Sequence, residues 1–310
     1  MESKNQTALT NFFLLGFGNQ LEVHIIFFVI FLLIYLLTFF GNFSIITAVR
    51  SDPRLHTPMY FFLCNLSFLD ICYTSVTMPK MLANMISNTT SISFSGCIAQ
   101  IFFFIGLAGT EIFLLSVMAF DRYVAICNPL LYHNIMNRRT CIQLASGPWV
   151  AGFLNSLVHT LLLAPLSYCK SHKVNQYFCD IPPLLALACG DLHVNEIVLL
   201  TMGGVLGMGS FLLTIVSYVH IISTILKIRS AEGKRKAFST CTSHLIVVSL
   251  FYGTSIFTYV RPTSSYSLDK DRLVSMLYGV VTPMLNPVIY SLRNKDVKGA
   301  LLRVLGRKAS

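Results

Sequence analysis

The sequence predicts an all-α membrane protein: a seven-transmembrane helix bundle followed by a short C-terminal amphipathic helix. Of 310 residues, 54% are hydrophobic and only 12% are charged, about half the charged fraction of a soluble domain. Seven apolar stretches recur along the chain, and each reaches the roughly 20 residues that cross a bilayer. The 23 lysines and arginines lie between these stretches and not in one patch, which argues against a nucleic-acid partner.

Each apolar stretch is predicted to be a helix, because irregular backbone cannot face lipid. The second stretch is interrupted only by Asp70 and Lys80, and the third by Glu111 and, near its end, by Asp121 and Arg122. The other five contain no Asp, Glu, Lys or Arg in their central part. We therefore predict one domain over 1–310, with an N-terminal tail at 1–22, helices at about 23–49, 57–86, 94–127, 140–165, 196–229, 234–260 and 271–292, and a tail at 293–310.

The distribution of basic residues predicts the orientation. With the N-terminus outside, 16 of the 23 lysines and arginines fall at cytoplasmic ends and loops, and only 7 fall on the outer side. Because cytoplasmic loops carry the excess of Lys and Arg, we expect the N-terminus outside and the C-terminus inside.

In the C-terminal tail, Val297, Leu301, Leu302 and Leu305 recur among basic residues. That pattern favours a short amphipathic helix on the inner membrane surface over a frayed basic tail.

The predicted topology assigns the cysteines and the glycosylation sequences to one side of the membrane or to its interior. Cys97, Cys169, Cys179 and Cys189 fall on the outer, oxidising side and could pair in three ways. The other five cysteines are interpreted as small buried hydrophobes. Of the four Asn-X-Ser/Thr sequences, Asn5 on the free outer tail is the predicted glycosylation site.

Ionisable residues within the membrane are costly, so they are candidates for function. Asp70 and Glu111 are the two within the spans, and Asn42 and Asn286 have similar predicted depths on other helices. One interpretation is a sodium ion at Asp70 and Glu111, or a shared proton between two carboxylates that resist joint ionisation. The other is a hydrogen-bond network that fixes helix packing. The sequence leaves both open and indicates no other metal.

Asp121, Arg122 and Tyr123 stand together at the cytoplasmic end of the third span. A charged pair at a helix end can be an interface anchor whose side chains reach the lipid headgroups. It can also be a switch, in which Asp121 holds Arg122 at rest and releases it to a cytoplasmic partner. The neighbouring sequence decides between these interpretations.

Five ordered motifs make the sequence resemble the odorant (olfactory) receptors, a branch of the rhodopsin-like (class A) G-protein-coupled receptors. The resemblance runs from about Phe12 to Lys298. The motifs are Leu55–Leu63, Met118–Cys127, Ser217–Tyr218, Lys236–Leu245 and Pro283–Tyr290.

The resemblance implies a plasma-membrane receptor that is driven by a small-molecule odorant. It also implies coupling to a heterotrimeric stimulatory (olfactory) G protein and cyclic AMP production, with membrane lipid as surroundings and with no enzyme activity or cofactor. It implies the pairs Cys97–Cys179 and Cys169–Cys189. The positions that it assigns to the cytoplasmic switch are Asp121, Arg122, Tyr123, Tyr218, His244 and Tyr290. Asn11 departs from the glutamate that is usual in the family, and Pro129–Tyr132 lacks a common basic residue, which leaves coupling strength open.

Helical spacing predicts an inward stripe on the third span. Phe104, Ala108, Glu111 and Leu115 follow steps of 4, 3 and 4, so they share one face, and Arg122 lies on the same face three turns beyond Glu111. The stripe can link a pocket, a buried acid and the switch. No acid is expected near Phe104 to pair with a ligand amine, which favours small, neutral, mostly apolar ligands.

On the sixth span, Tyr252, Ser255 and Tyr259 are spaced by 3 and 4 and present hydroxyls to the same interior. Tyr259 is the strongest candidate, because a buried hydroxyl seeks a partner. The resemblance implies ligand contacts at Phe104, Ile105, Ala108, Gly109, Met202, Leu206, Ser255 and Tyr259. For each apolar position, simple helix packing is the alternative.

Other classes of membrane protein fit the sequence less well. A transporter or channel would need a polar path or internal repeats, and neither is evident. A rhodopsin-like receptor for another small ligand remains an alternative. No set of residues suggests an intramembrane enzyme, since the histidines are scattered.

Overall fold

The computed structural model describes residues 11–15, 21–87, 90–259, 268–292 and 295–307. Long helices dominate it, as the apolar stretches predict. They are α1 (Leu21–Ser51), α2 (Pro58–Ile86), α3 (Phe94–Cys127), α5 (Arg138–Leu163), α7 (His193–Lys227) and α8 (Ala231–Tyr259). The seventh is α9 (Leu268–Met276), a π-helical turn (Leu277–Val281) and α10 (Thr282–Leu292). The helix ends differ from the predicted bounds by three residues at most.

Six of these helices, in the described part of the chain, are long and apolar enough to cross a membrane. The fourth in order, α5, has 26 residues, about 39 Å at 1.5 Å per residue, so its length also suffices. It is less apolar because it carries polar side chains such as Asn155 and His159. The chain is thus a seven-helix membrane bundle. We refer to its two ends as the Cys97 end, where α3 begins, and the Arg122 end, where α3 finishes.

The helix ends follow their capping residues. The Ser93 side chain accepts a hydrogen bond from the Gly96 backbone N–H at 3.1 Å and starts α3. Asn137 does the same for Thr140 at 3.0 Å and starts α5. Side chains of this kind satisfy backbone donors that have no partner within the helix. The chain therefore turns into the membrane at defined residues.

Helices α3 and α5 pack against each other at very short distance. A Cβ atom on Gly152 would lie 2.6 Å from the carbonyl oxygen of Gly106 and 2.6 Å from the amide of Thr110. Only a glycine fits there, and small residues are what lets membrane helices pack closely. The serine next along this face of α5, Ser156, donates to the Phe102 carbonyl at 2.5 Å.

A small sheet covers the Cys97 end. Strand β1 (Asn11–Leu14) pairs antiparallel with β2 (Ser91–Ser93) and parallel with β3 (Lys173–Val174). Phe12 is fully buried beneath it. The structure joins Cys97 to Cys179 and Cys169 to Cys189, the pairing that the resemblance implies. A short helix, α6 (Ile181–Leu187), follows directly and enters the bundle, with Leu184 completely buried.

Two short helices lie at the Arg122 end: α4 (Tyr132–Ile135) and the predicted amphipathic helix, α11 (Lys295–Arg307). Val297 and Ala300 of α11 are fully buried in a cluster with residues of α1. Arg303 donates from Nε to Asp52 at 3.1 Å and also forms an ion pair with it at 2.5 Å. Hydrogen bonding from Arg303 lowers the pKa of Asp52, so the pair is charged at neutral pH.

Candidate functional site

A cavity of about 90 Å³ lies inside the bundle, toward the Cys97 end. It is bounded by α3, α5, α6, α7 and α8. The residues that line it are Ile105, Ala108, Gly109, Ile112, Asn155, His159, Ile181, Leu199, Gly203, Gly207, Met208, Tyr252, Ser255 and Ile256. The wall is mostly apolar and contains no Asp, Glu, Lys or Arg among the described residues, so it suits a small uncharged molecule.

The polar groups in this wall come from α5 and α8. Asn155 and His159 are four residues apart on α5 and therefore share a face. The Asn155 amide oxygen is buried and has no hydrogen-bond partner among the described residues. A buried amide oxygen without a hydrogen-bond donor is costly. A hydroxyl group on a ligand could donate that hydrogen bond. Sequence reasoning missed both residues, although their i, i+4 spacing on an uncharged span was visible.

Four of the eight predicted contacts line the cavity: Ile105, Ala108, Gly109 and Ser255. On α7, the cavity is lined by Gly203, Gly207 and Met208, and the predicted Met202 and Leu206 stand one position away. The backbone of Tyr259 ends α8, but its side chain lies outside the described residues. For those three positions ligand contact stays a prediction.

Phe104 lies in an aromatic cluster above the cavity and not in its wall. Its ring centroid is 4.8 Å from that of Tyr73, 4.9 Å from Phe178 and 5.8 Å from Tyr278. The residue is fully buried. The cluster joins α2, α3, the α9–α10 helix and the disulfide-bonded loop. Phe104 thus supports the roof of the cavity.

One buried acid, Asp180, lies beside the aromatic cluster around Phe104, although no acid is among the described residues of the cavity wall. Asp180 follows the disulfide-bonded Cys179 and is almost fully buried. Its carboxylate accepts a 2.6 Å hydrogen bond from Tyr278, whose ring contacts Phe104, and a 2.8 Å bond from the Ile181 backbone N–H. The acid comes from a loop, so helical spacing could not reveal it. Because these bonds engage it, Asp180 serves to hold α6 in the bundle.

The floor of the cavity is a cluster of hydroxyl groups shared by three helices. The Tyr252 hydroxyl of α8 donates to the Ile112 carbonyl at 3.1 Å and lies 3.1 Å from the Ser116 hydroxyl, both on α3. Ser116 also donates to the Ser210 carbonyl of α7 at 3.0 Å and lies 3.2 Å from the Thr214 hydroxyl. Through this cluster, the position of Tyr252 is coupled to the packing of both α3 and α7.

The predicted polar network lies between this floor and the first two helices. Asn286 donates to both carboxylate oxygens of Asp70, at 3.1 and 3.0 Å. Asn42 donates to the Thr38 carbonyl at 3.0 Å and to that of Pro283 at 3.4 Å. All three predicted side chains are fully buried. The network ties α1, α2 and α10 together.

Glu111 is also fully buried, and neither of its carboxylate oxygens is within hydrogen-bond distance of a described partner, although the Asn286 amide that donates to Asp70 lies near it. Asp70 lies close enough to interact with it electrostatically. A buried carboxylate without a hydrogen-bond partner is costly, so it is expected to bind a proton, a cation or water. Oxygen donors of Asp70, Glu111 and Asn286 suit a hard cation. The described residues contain no group of three or more His, Cys, Asp or Glu for a metal, so any cation there would rely on amide oxygens as well.

At the Arg122 end, the loop helix α4 reaches the acid of the predicted switch. Tyr132 donates to the Asp121 carboxylate at 2.8 Å. Partial burial, and then the neighbouring Asp121, raise the pKa of the Tyr132 phenol, so it stays a donor at neutral pH. Both Asp121 and Arg122 are buried. The sequence placed Tyr132 only as the end of a loop motif and did not connect it with Asp121.

The other predicted switch residues gather around Arg122. The Arg122 guanidinium interacts electrostatically with Tyr218 of α7 and His244 of α8. The Tyr218 hydroxyl lies 2.7 Å from His244 Nδ1. Tyr123 is 5.8 Å from the His220 ring and packs beside α7. The Tyr290 side chain and the proposed glycosylation site, Asn5, lie outside the described residues.

Comparison with known proteins agrees with this architecture. The olfactory receptor family model matches residues 31–308. The chain is 52% identical to mouse (Mus musculus) olfactory receptor 5G29 over 99% of the chain and 98% of that protein. It is 53% identical to gorilla (Gorilla gorilla gorilla) olfactory receptor 1G1 over 98% and 97%, and 48% identical to human (Homo sapiens) olfactory receptor 5AR1 over the full length of both.

The cavity within seven helices and the residues around Arg122 thus occur in a chain that matches this family over nearly its whole length. Members of the family are G-protein-coupled receptors of the plasma membrane and not enzymes. The chain belongs to the olfactory receptor family.

Proposed function

We propose that this receptor binds small, neutral, mostly apolar volatile odorants in the cavity between α3, α5, α7 and α8. Ligand binding there would activate a stimulatory (olfactory) G protein and raise cyclic AMP. The observation that carries the proposal is the cavity wall: its described residues include no Asp, Glu, Lys or Arg, and the Asn155 amide oxygen has no hydrogen-bond partner among them. An odorant with one hydroxyl group would satisfy that oxygen and fill the apolar remainder.

The size of the cavity favours compact ligands. Its volume of about 90 Å³ is below the 300–1,000 Å³ that is common for ligand sites. Gly203 and Gly207 leave open space in the wall, since a Cβ on either would meet no atom within 4 Å. Discrimination of one methylene in an apolar pocket is worth only ~1–3 kcal/mol. We therefore expect several related odorants to act on the receptor.

The proposed signal passes along α3. Ser116 in the hydroxyl cluster is six residues before Arg122, about 9 Å along the helix. An odorant that displaces Tyr252 would change how α8 and α7 pack on α3, and His244 and Tyr218 next to Arg122 belong to those same two helices. The excess of Lys and Arg at the Arg122 end supports a cytoplasmic location of that end, where a G protein would bind.

A cyclic AMP screen against a chemically diverse odorant panel tests the proposal. Cells that express the receptor should respond to some small neutral odorants, and the Arg122→Ala variant at equal surface level should not. A response to charged amines alone would point to a rhodopsin-like receptor for another ligand class. Ligand flux or current in membranes without G protein would point to a transporter, and either result would overturn the proposal.

A further inference from the structure

A second and larger concave site lies on the outside of the bundle, at the Arg122 end. We call it the arginine groove. It has a volume of about 1020 Å³ and runs between α1, α2 and α5. Its apolar wall includes Phe43, Phe61, Phe68 and Ile142, of which Phe43 is 54% exposed and Phe68 53%. Large exposed apolar side chains on a membrane bundle face lipid, so the groove opens to the bilayer.

The rim of the groove is basic. Arg50 in the last turn of α1, His56 in the α1–α2 connection and Arg138 at the start of α5 all line it and are exposed. The nearby acid, Asp52, is engaged by Arg303. Among the described residues, no carboxylate forms an ion pair with Arg50 or Arg138. The rim therefore offers positive charge that the protein itself does not neutralise.

The position of Arg138 also indicates that the rim of the groove attracts anions. A helix N-terminus carries a partial positive charge and favours anions, so an arginine in the first turn is disfavoured there. Neither a glutamate nor an aspartate occurs in the first turn of α5. An anion bound between Arg138 and Arg50 would offset the repulsion between Arg138 and the N-terminus of α5. It would also accept charge-assisted hydrogen bonds from both guanidinium groups.

The length of the groove matches one leaflet of a bilayer. Along α2 its lining runs from Pro58 to Phe68, ten residues or about 15 Å, which is half of the ~30 Å hydrocarbon thickness. The apolar wall therefore lies at acyl-chain depth and the basic rim at headgroup depth. A soluble ligand or peptide would not meet this division of apolar and charged surface along the membrane normal.

We propose that the arginine groove binds an anionic glycerophospholipid of the leaflet at the Arg122 end. Arg50, Arg138 and His56 contact the charged headgroup, and an acyl chain lies against Phe61 and Phe68. A sterol fits less well, because its hydroxyl carries no charge to neutralise the arginines. The lipid would bridge the ends of α1, α2 and α5 beside the loop that carries Tyr132.

Native mass spectrometry of the full-length purified receptor tests the proposal, with phosphatidylserine and phosphatidylcholine of identical acyl chains as the probes. The wild type should bind phosphatidylserine more tightly. Removal of both charges in Arg50→Gln/Arg138→Gln should weaken phosphatidylserine binding roughly 25-fold, about five-fold per basic residue, with little effect on phosphatidylcholine. The matched control, Arg139→Gln/Arg229→Gln, loses the same charge outside the groove and should bind both lipids as the wild type does.

A charge-preserving variant, Arg50→Lys/Arg138→Lys, guards against a folding defect and should keep the preference for phosphatidylserine. Equal binding of the two phospholipids by the wild type would overturn the proposal. So would an unchanged preference in the glutamine variant. Displacement of phosphatidylserine by cholesterol, with cholesterol binding equal in wild type and glutamine variant, would assign the groove to a sterol and would also contradict it.

Discussion

At the residue scale, the proposed odorant site depends most directly on the side chain of Asn155. Its amide oxygen is buried at the cavity without a partner among the described residues. We expect Asn155→Leu to weaken the response to an alcohol odorant about three- to ten-fold, the worth of one hydrogen bond. The hydrocarbon of the same skeleton should act equally on both proteins.

Cyclic AMP dose–response curves at matched surface expression measure this difference. Gln143→Leu, an exposed amide on the same helix and outside the cavity, is the control and should leave both ligands unaffected. An equal loss of potency for the alcohol and the hydrocarbon in Asn155→Leu would mean that Asn155 serves packing only.

Tyr252 is the residue that joins cavity and bundle. Its hydroxyl bonds to α3 and approaches Ser116 at 3.1 Å. Tyr252→Phe removes that donor and should raise the odorant concentration needed for half-maximal cyclic AMP about two- to ten-fold. Tyr35→Phe, which removes a 3.1 Å contact with Ser75 away from the cavity, should not. Unchanged potency of several ligands on Tyr252→Phe would refute the role of this hydroxyl cluster.

The pair of buried acids makes a separate prediction. Because the Glu111 oxygens have no partner among the described residues, we expect sodium to bind near Asp70 and Glu111 and to shift odorant potency in the wild type. Asp70→Asn should abolish that shift, since it removes a carboxylate ligand. Dose–response curves in sodium and in an impermeant organic cation measure it. If Asp70→Asn kept the full sodium response, the network would be a purely structural one.

At the scale of elements, the buried side chains of Val297 and Ala300 and the ion pair between Arg303 and Asp52 hold α11 against the bundle. Arg303→Ala removes the pair with Asp52, and we expect faster hydrogen–deuterium exchange along α11 with the rest of the bundle unchanged. Since the pKa of Asp52 is lowered, the pairing is complete above the ordinary aspartate range and is lost as pH falls through the lowered pKa. Lys298→Ala, an exposed change on the same helix, is the control. Exchange that stays as slow in Arg303→Ala would show that Val297 and Ala300 suffice.

The long helices could be predicted because each is an uninterrupted apolar run, and the bilayer leaves such a run one conformation. The strand β1 could not. The sequence predicts a tail at 1–22, yet Asn11–Leu14 pairs with Ser91–Ser93 and with Lys173–Val174. Pairing over such sequence distances depends on the folded loops, and a four-residue segment carries too little pattern to reveal it.

At the scale of the whole molecule, the cavity was predictable only in part. Of the stripe predicted on α3, Ala108 lines the wall, and so do Ile105 and Gly109, which the family resemblance implies. The rotation of α5 and α7 about their axes depends on their neighbours, and one position corresponds to about 100° of turn. That is why Gly207 lines the cavity, whereas the predicted Leu206 does not. No helical pattern could have brought Asp180 into the bundle, because a disulfide-bonded loop carries it.

We propose above all that an odorant in this cavity acts through Arg122. Gly207 lines the cavity, and a Cβ atom at this position would meet no other atom within 4 Å, so Gly207→Leu should fold and fill the space. The exposed Gly209, outside the cavity wall, has the same freedom and provides the control Gly209→Leu.

The most direct measurement is the cyclic AMP dose–response of wild type, Gly207→Leu, Gly209→Leu and Arg122→Ala to one active odorant at equal surface expression. We predict a potency loss of about ten-fold or more in Gly207→Leu, wild-type behaviour in Gly209→Leu and no response in Arg122→Ala. An unaltered response from the receptor with the filled cavity, or a full response without Arg122, would contradict the account.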